Sequence, residues 1–344
     1  MEKKQIIRAN GYDVNICNSF SDMPDLGREL FIVTDNNVKE LYLDSFLDVV
    51  SKDKGVFVMS PGESYKSFDT VSEIYRAFSA AEVDRKTVVI ALGGGVVGDV
   101  CGFAAATFMR GVSFVQVPTT LMAMADSSVG GKTAVNFEGL KNLIGAFYQP
   151  KLVYINTSCL NTLPKEHISA GMAEIIKYGL IRDEAFFHYL LENSDDMGYL
   201  IQKSLEIKAE IVSIDEKEAG IREILNFGHT FGHSIESLLK YEVPHGVCVA
   251  IGMRAALSLS AEKGYISFEL VQKYSDFCKK HTIPTKLSDI GKILNPLDIY
   301  ENMRHDKKVR YGSIRLVLLK ALGEAFVDES CGKSEIIESI SSIL

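Results

Sequence analysis

Four short apolar runs in the first half of the chain, each closing on Gly, Thr, Asp or Pro, constrain its fold most strongly. They are LFIVTD at 30–35, GVFVMSPG at 55–62, TVVIALGGG at 87–95 and FVQVPTT at 114–120. Each is too short for a buried helix, and segments of helical period, such as 67–82, lie between them. Continuous apolar strands alternating with helices read as a parallel sheet covered on both faces. From about Pro164 the pattern becomes mostly helical, over 165–181, 184–193, 197–214, 222–240, 246–263 and 267–280. The last helix is expected at 335–344, and the segment SIRLVLLKALGEAFVD reads as a local hairpin. The change of character lies around 155–163. The expected organisation is an α/β domain with a parallel sheet at 1–158 and a mainly α-helical domain at 159–344.

Composition excludes several classes. With 37 Lys+Arg against 45 Asp+Glu the net charge is −8 over 344 residues. Binding the phosphates of a nucleic acid requires a basic face, so no nucleic-acid partner is expected. The longest apolar stretches, near 101–125 and 246–258, are interrupted by Arg110 and Arg254. A spanning helix needs ~20 consecutive apolar residues, so no membrane partner is expected either. The six cysteines form no CxxC pair, and MEKKQIIRAN lacks the apolar core of a signal peptide. A cytoplasmic protein with reduced, buried thiols is expected.

Two glycine clusters invite chemistry. Gly93, Gly95 and Gly98 satisfy GxGxxG between the strand at 87–92 and a helix. Such a loop lets backbone amides approach a pyrophosphate, but it also serves as a tight strand–helix turn. It comes late in the chain, and no acidic residue ends the next strand at the usual spacing. Asp35 and Asn37, at the end of an earlier strand, offer a ribose-binding pair. Gly130-Gly131-Lys132-Thr133 mimics the end of a phosphate-binding P-loop, but Asp126 stands where its first glycine belongs. Lys132 is then a solvated surface cation or a substrate-facing one on a loop.

The segment REILNFGHTFGH spaces Arg222, Asn226, His229 and His233 by 4, 3 and 4 residues. On one continuous helix these would fall within about 60° of a single face. Apolar Leu225, Phe227, Phe231 and Ile235 flank that polar stripe, which favours a buried lining over a solvated face. Imidazole is a common zinc ligand, and catalytic zinc sites combine three protein ligands with an open position. The helix GMAEIIKYG supplies Glu174 with Lys177 one turn on, which is either an intrahelical ion pair or part of a site.

Together GGGVVGDVCGFAAATFMRGV, QVPTTLMAMADSSVGGKTAVN, KNLIGAFYQP, GMAEIIKYG, LNFGHTFGHSIE and HGVCVAIGM resemble the 3-dehydroquinate synthase family of sugar phosphate cyclases. The resemblance runs from the glycine loop through the helical half. It implies a Rossmann-like N-terminal domain and a lyase that uses NAD and Zn2+, with Co2+ as an alternative metal. Such an enzyme converts 3-deoxy-D-arabino-heptulosonate 7-phosphate to 3-dehydroquinate and phosphate, the second step of the shikimate pathway, without net redox. Carried over by motif, Glu174, His229 and His245 match the metal ligands, and His233 matches an acid/base residue. Arg110, Asp126, Lys132, Asn142, Lys177, Lys208, Arg222, Asn226, Lys307 and Lys308 match substrate-contacting positions. Asp35, Asn37, Glu63, Lys66, Gly94, Gly95, Val96, Asp99, Thr119, Thr120, Lys141 and Thr162 match NAD-binding positions. Some members carry Asn where this chain has Ala170, so no contact is carried over there. The resemblance also implies a small anionic sugar phosphate as substrate and a homodimer. Rival readings are another sugar phosphate cyclase, a metal-dependent polyol dehydrogenase of similar fold, and a non-catalytic NAD-binding module.

Overall fold

The computed structural model describes residues 5–50, 53–305 and 314–344. It opens on an antiparallel hairpin, β1 (Gln5–Ala9) and β2 (Tyr12–Cys17), followed by β3 (Leu30–Asp35). Two helical turns, α1 (Asn36–Val38) and α2 (Asp44–Leu47), lead to β4 (Asp53–Met59). Then come α3 (Phe68–Ala80), β5 (Val88–Gly93), α4 (Gly95–Thr107) and β6 (Ser113–Pro118). A second hairpin, β7 (Lys132–Phe137) and β8 (Leu140–Phe147), precedes β9 (Leu152–Asn156). The remainder carries α5 (Lys165–Arg182), α6 (Glu184–Glu192), α7 (Met197–Ile214), α8 (His229–Leu238), α9 (His245–Glu262), α10 (Phe268–Lys280) and α11 (Pro296–His305). The hairpin β10 (Leu316–Ala321) and β11 (Glu324–Asp328) and the helix α12 (Lys333–Ser341) complete it.

The chain divides into two compact units. One comprises Met1–Leu163 with Met197–Ser213, the other Pro164–Asp196 with Ile214–Leu344. Most of α7 therefore groups with the first unit, an interleaving that a single cut in the sequence does not express.

In the first unit seven strands run in the order β1-β2-β9-β6-β5-β3-β4. All pairings are parallel except β1 with β2. β5 and β9 are buried along their whole length, as expected of strands covered on both faces. Phe31, Val33, Val89 and Ala91 of the sheet pack with Val71, Ile74 and Phe78 of α3 and Val97, Val100 and Cys101 of α4. Helix α4 is apolar almost all round because β7 closes on its other side. A Cβ at Gly102 would lie 2.5 Å from Thr133 Cγ2. From β3 the chain moves outward to β4 on one side, and from β5 outward to β6 on the other. The strand order thus reverses between β3 and β5, and ligands of open α/β sheets bind at the carboxyl ends of strands flanking such a point.

In the second unit α9 is the central helix, buried along Gly246–Met253 and Ala255–Ala261. It contacts α5, α8, α10, α12 and β10. Three glycines allow its close approach to α5 and α8. A Cβ at Gly246 would lie 2.4 Å from the Ala170 carbonyl oxygen, and one at Gly252 2.1 Å from that of Gly228. One at Gly232 would lie 2.9 Å from the Cys248 carbonyl oxygen. Five of the six cysteines are buried and all six are free thiols. Among the described residues no helix is long and apolar enough to cross a membrane.

Candidate active site

In the first unit, the carboxyl ends of β3 and β5 present Asp35 and the glycine turn at the sheet's reversal. Gly94 caps α4 with no side-chain bond to its first amides. The turn is cradled so closely that Cβ atoms at Gly93, Gly94 and Gly95 would meet Val97 at 2.6 Å, Thr120 at 3.1 Å and Ser127 at 3.2 Å. A bare-backbone helix N-terminus in a cradle this tight fits a pyrophosphate. The Thr119 amide donates to the Gly93 carbonyl at 3.0 Å, fixing the β6 end against the turn. Val96 is half-buried in the first turn of α4. Asp35 Oδ1 accepts from the Val38 amide at 2.9 Å. Burial raises the Asp35 pKa while the amides of Val38 and Asn37 draw it back, and Asn37 itself is exposed.

A polar network links the matched positions around the second hairpin. Buried Lys66 donates to Asp99 of α4 and to the Asn142 side-chain carbonyl of β8. Burial raises the Asp99 pKa, with the Lys66 charge opposing it. Glu63 Oε1 accepts from Asn136 Nδ2 at 2.9 Å and lies 3.5 Å from Lys141 Nζ. Asn136 in turn accepts the Asn142 backbone amide at 2.9 Å, holding that residue at φ +52°. Thr162 meets the Tyr42 hydroxyl, which also donates to the Cys159 carbonyl at 3.1 Å. Tyr42 lies outside the motif blocks and Asn136 ends one without a role carried over to it; both hold matched residues.

The remaining first-unit cations are held differently. Lys208 of α7 donates to the Asp126 carbonyl at 2.8 Å and pairs with its carboxylate. Lys132 is exposed, but it begins strand β7 and is not on a loop. Gly131 precedes it at φ +69°, where a Cβ would strike Gln149 at 2.7 Å. Arg110 is exposed at φ +65°, next to Met109 at φ +51°. Two successive non-glycine residues in the left-handed region are costly, a kind of strain that collects at functional sites.

In the second unit, α5, α8 and α9 bring the Glu174 carboxylate and three imidazoles together. Glu174 and Lys177 are each 1% exposed, and Lys177 pairs with Glu174 Oε2. Glu174 Oε1 lies 3.8 Å from His229 Nε2 and 3.9 Å from His245 Nε2. Ligands ~2.0–2.2 Å from a tetrahedral ion sit roughly 3.3–3.6 Å apart, so this donor set fits a divalent metal after a small contraction. His229 Nδ1 lies 3.1 Å from the Phe227 carbonyl, which can only accept, so that nitrogen carries the proton and Nε2 is the donor lone pair. His233 is close by, with its ring centroid 5.3 Å from that of His229 and 5.5 Å from that of His245. Donor atoms of the three histidines lie within 4.8 Å of one another. Distance alone therefore admits His233 as a fourth donor.

The expectation of one helix over 222–240 needs correction. Arg222 and Asn226 sit on a 3-10 turn, Ile221–Asn226, and α8 begins only at His229. Gly228 separates them at φ +77°, where a Cβ would press on Met253 at 2.4 Å. The common helical face computed for the four polar residues does not exist, although the two histidines do share a face of α8. Arg222 is 1% exposed and donates to the Glu216 carbonyl, while its amide donates to Asp215 Oδ2 at 3.1 Å. Asn226 Nδ2 donates to Glu218 at 2.7 Å. Asp215 and Glu218, which hold this turn, carry no sequence signal of their own. Lys307 and Lys308 lie outside the described residues.

Two family models match in succession: 3-dehydroquinate synthase N-terminal over residues 56–170 and 3-dehydroquinate synthase C-terminal over 171–309. The chain is 47% identical over 309 residues to a 3-dehydroquinate synthase of Thermoanaerobacter pseudethanolicus, covering 86% of each. Among solved structures it is similar to 2-epi-5-epi-valiolone synthase of Streptomyces hygroscopicus subsp. jinggangensis with NAD+ and Zn2+ bound. The identity is 26%, the TM-score 0.89, and 99% of each chain is covered. It is also similar to a 2-deoxy-scyllo-inosose synthase complexed with carbaglucose-6-phosphate, NAD+ and Co2+. There the identity is 25% and the TM-score 0.87, over 99% of this chain and 100% of the other. An α/β unit with a nucleotide-type glycine turn, a helical unit with a Glu-His-His donor set, and two family matches in tandem agree: the chain belongs to the 3-dehydroquinate synthase family.

Proposed function

We propose that this protein is a 3-dehydroquinate synthase, a lyase that converts 3-deoxy-D-arabino-heptulosonate 7-phosphate to 3-dehydroquinate and phosphate in the shikimate pathway. The observation that carries this reading is the pair of consecutive family matches from residue 56 to residue 309. They enclose the glycine turn and the whole Glu174–His229–His245 set. When bound, NAD takes up and returns a hydride, and the divalent metal acts as a Lewis acid towards the oxygen whose charge changes.

Within this reading the glycine turn, Val96, Thr119, Thr120, Asp35, Asn37, Glu63, Lys66, Asp99, Lys141 and Thr162 bind NAD. Glu174, His229 and His245 hold the metal, zinc or cobalt. Arg110, Lys132, Asn142 and the motif-matched Lys307 and Lys308 bind phosphate, Arg as a forked donor and Lys as a point charge. Lys177, Lys208, Arg222 and Asn226 bind the substrate carboxylate and hydroxyls, with Asp126 holding Lys208. Their side chains are anchored before substrate arrives, which lowers the cost of ordering them. His233, beside the metal-ligand histidines, moves a proton to or from a substrate oxygen. Cations held at specific partners reconcile a dianionic or trianionic substrate with a chain of net charge −8.

Purified protein should release phosphate from the heptulosonate phosphate, need only catalytic NAD, and stop when a chelator removes the metal. Sustained accumulation of NADH would support a polyol dehydrogenase instead. Faster turnover of a different sugar phosphate would indicate another cyclase. The family reading also gives a cytoplasmic protein and a homodimer, and sedimentation of the purified protein tests the dimer.

A further inference from the structure

We infer that Glu236 is a positioning residue for the metal site: it holds His245 through Nδ1 so that Nε2 is delivered to the ion. The inference rests on the assignment of Glu174, His229 and His245 as metal ligands. Glu236 is 2% exposed, and its Oε2 lies 3.2 Å from His245 Nδ1. A carboxylate has no proton to give, so the bond requires Nδ1–H as donor, and the lone pair is left on Nε2. That nitrogen is the one 3.9 Å from Glu174 Oε1. His229 reaches the same tautomer through a backbone carbonyl, whereas His245, the first residue of α9, depends on a side chain of another helix.

The helix geometry explains how Glu236 gets there. It lies seven residues after His229 and three after His233, so all three share one face of α8. The Gly232 and Gly252 crossings press that face close to α9. A buried carboxylate is expensive unless compensated. The hydrogen-bonded imidazole provides part of that compensation, and the metal charge beyond it provides more. A carboxylate–histidine–metal relay of this kind fixes ring orientation and raises ligand basicity, and losing the outer partner typically lowers metal affinity by ~10–100-fold.

The test measures the zinc dissociation constant of the full-length protein by chelator competition, in Glu236→Ala, Glu236→Gln and His229→Ala. The cobalt(II)-substituted absorption spectrum reports ligand geometry alongside. Glu236→Ala should bind zinc ~10–100-fold more weakly. Glu236→Gln should fall in between, because its amide oxygen still accepts from Nδ1–H without the negative charge. Should Glu236→Ala not fold, the isosteric Glu236→Gln decides alone, and a severalfold loss supports the relay. Parent-like affinity and cobalt spectrum in folded Glu236→Gln and Glu236→Ala, with His229→Ala depleted of zinc, overturn the positioning role and leave the metal site standing. Parental zinc binding in His229→Ala overturns the ligand assignment itself and the inference with it.

Discussion

Substituting Gly252→Ala tests whether the helix crossing, and not the ligand residues alone, builds the proposed metal site. The new methyl would sit 2.1 Å from the Gly228 carbonyl oxygen and 2.7 Å from the Gly232 amide nitrogen. Both are backbone atoms at the start of α8, so no rotamer change relieves the contact. Reaching ordinary contact at 3.4 Å requires α8 and α9 to part by about 1.3 Å. Overpacking in a close-packed interior costs ~1–3 kcal/mol, and a backbone-on-backbone clash belongs at the upper end or above. Metal sites tolerate errors of only about ±0.2 Å in ligand distance, so a shift of this size withdraws His229 and His233 from His245. Zinc affinity should then fall by more than the ~10–100-fold that follows loss of an outer partner. Gly264→Ala is the matched control. Gly264 is at φ +76° with nothing within 4 Å of the built Cβ, so only left-handed strain of roughly 1–2 kcal/mol applies. Calorimetric unfolding and chelator competition on both variants give the answer. A folded Gly252→Ala protein with parental zinc affinity would falsify the crossing argument.

Further outcomes follow from the same geometry. Breaking the buried Glu174–Lys177 pair with Lys177→Met leaves a carboxylate uncompensated and should destabilise the metal-free protein by about 3–5 kcal/mol. Added zinc should recover more stability in the variant than in the parent, and equal increments by scanning calorimetry would refute the coupling. Asn136→Ala removes the groups that hold Glu63 and the Asn142 backbone, so NAD should bind severalfold more weakly in fluorescence titration. Unchanged NAD affinity would show that the hairpin orders itself without that side chain. The Asp215 pKa is lowered, chiefly by accepting the Ala219 amide, with the Arg222 and Gly220 amides and the Arg222 charge also contributing. A depressed carboxyl pKa contributes stability above the unfolded value near 3.8 that disappears as pH falls through the folded value. Amide exchange at Ala219, Gly220 and Arg222, referenced to intrinsic rates, should therefore lose protection below about pH 4 before the α9 core does. Simultaneous loss across the molecule would rule out a local latch.

The β3–β6 part of the sheet was legible because those strands advertise themselves, whereas β9, buried between β2 and β6, was not read. VVIALG is apolar throughout, and LFIVTD and SFVQVP are apolar but for Thr34-Asp35 at the end of one and Ser113 and Gln116 in the other, a pattern that suits two-sided burial. The late hairpin at β10 and β11 was legible for a related reason, a strand pattern broken by a Gly323 turn. The hairpins β1–β2 and β7–β8 were not. β8 alternates exposed and half-buried positions with Gly145 and Asn142 inside it, so its local sequence resembles a loop. What makes it a strand is Gly145 lying flat against β7, where a Cβ would meet the Thr133 carbonyl oxygen at 2.2 Å. That is a tertiary contact with no local signature.

The residue types proposed to hold the metal were legible one by one, and only the family resemblance, not their spacing, joined Glu174, His229 and His245 into a set. HxxxH on a helix brings two imidazoles to one face by periodicity alone. Arg222 and Asn226 showed where periodicity fails: spacings of 4 and 3 are equally compatible with a helix and with the 3-10 turn that Gly228 separates from α8. A left-handed glycine inside a polar-periodic run is the available signal, and its meaning depends on whether another helix lies against it. Here Met253 of α9 does: a Cβ at Gly228 would lie 2.4 Å from its Cγ, directly before His229, whose Nε2 lies 3.8 Å from Glu174 Oε1. The backbone break and the proposed donor set thus share the α8–α9 crossing, and Gly228→Ala, its methyl pressed onto Met253, should weaken zinc binding in chelator competition.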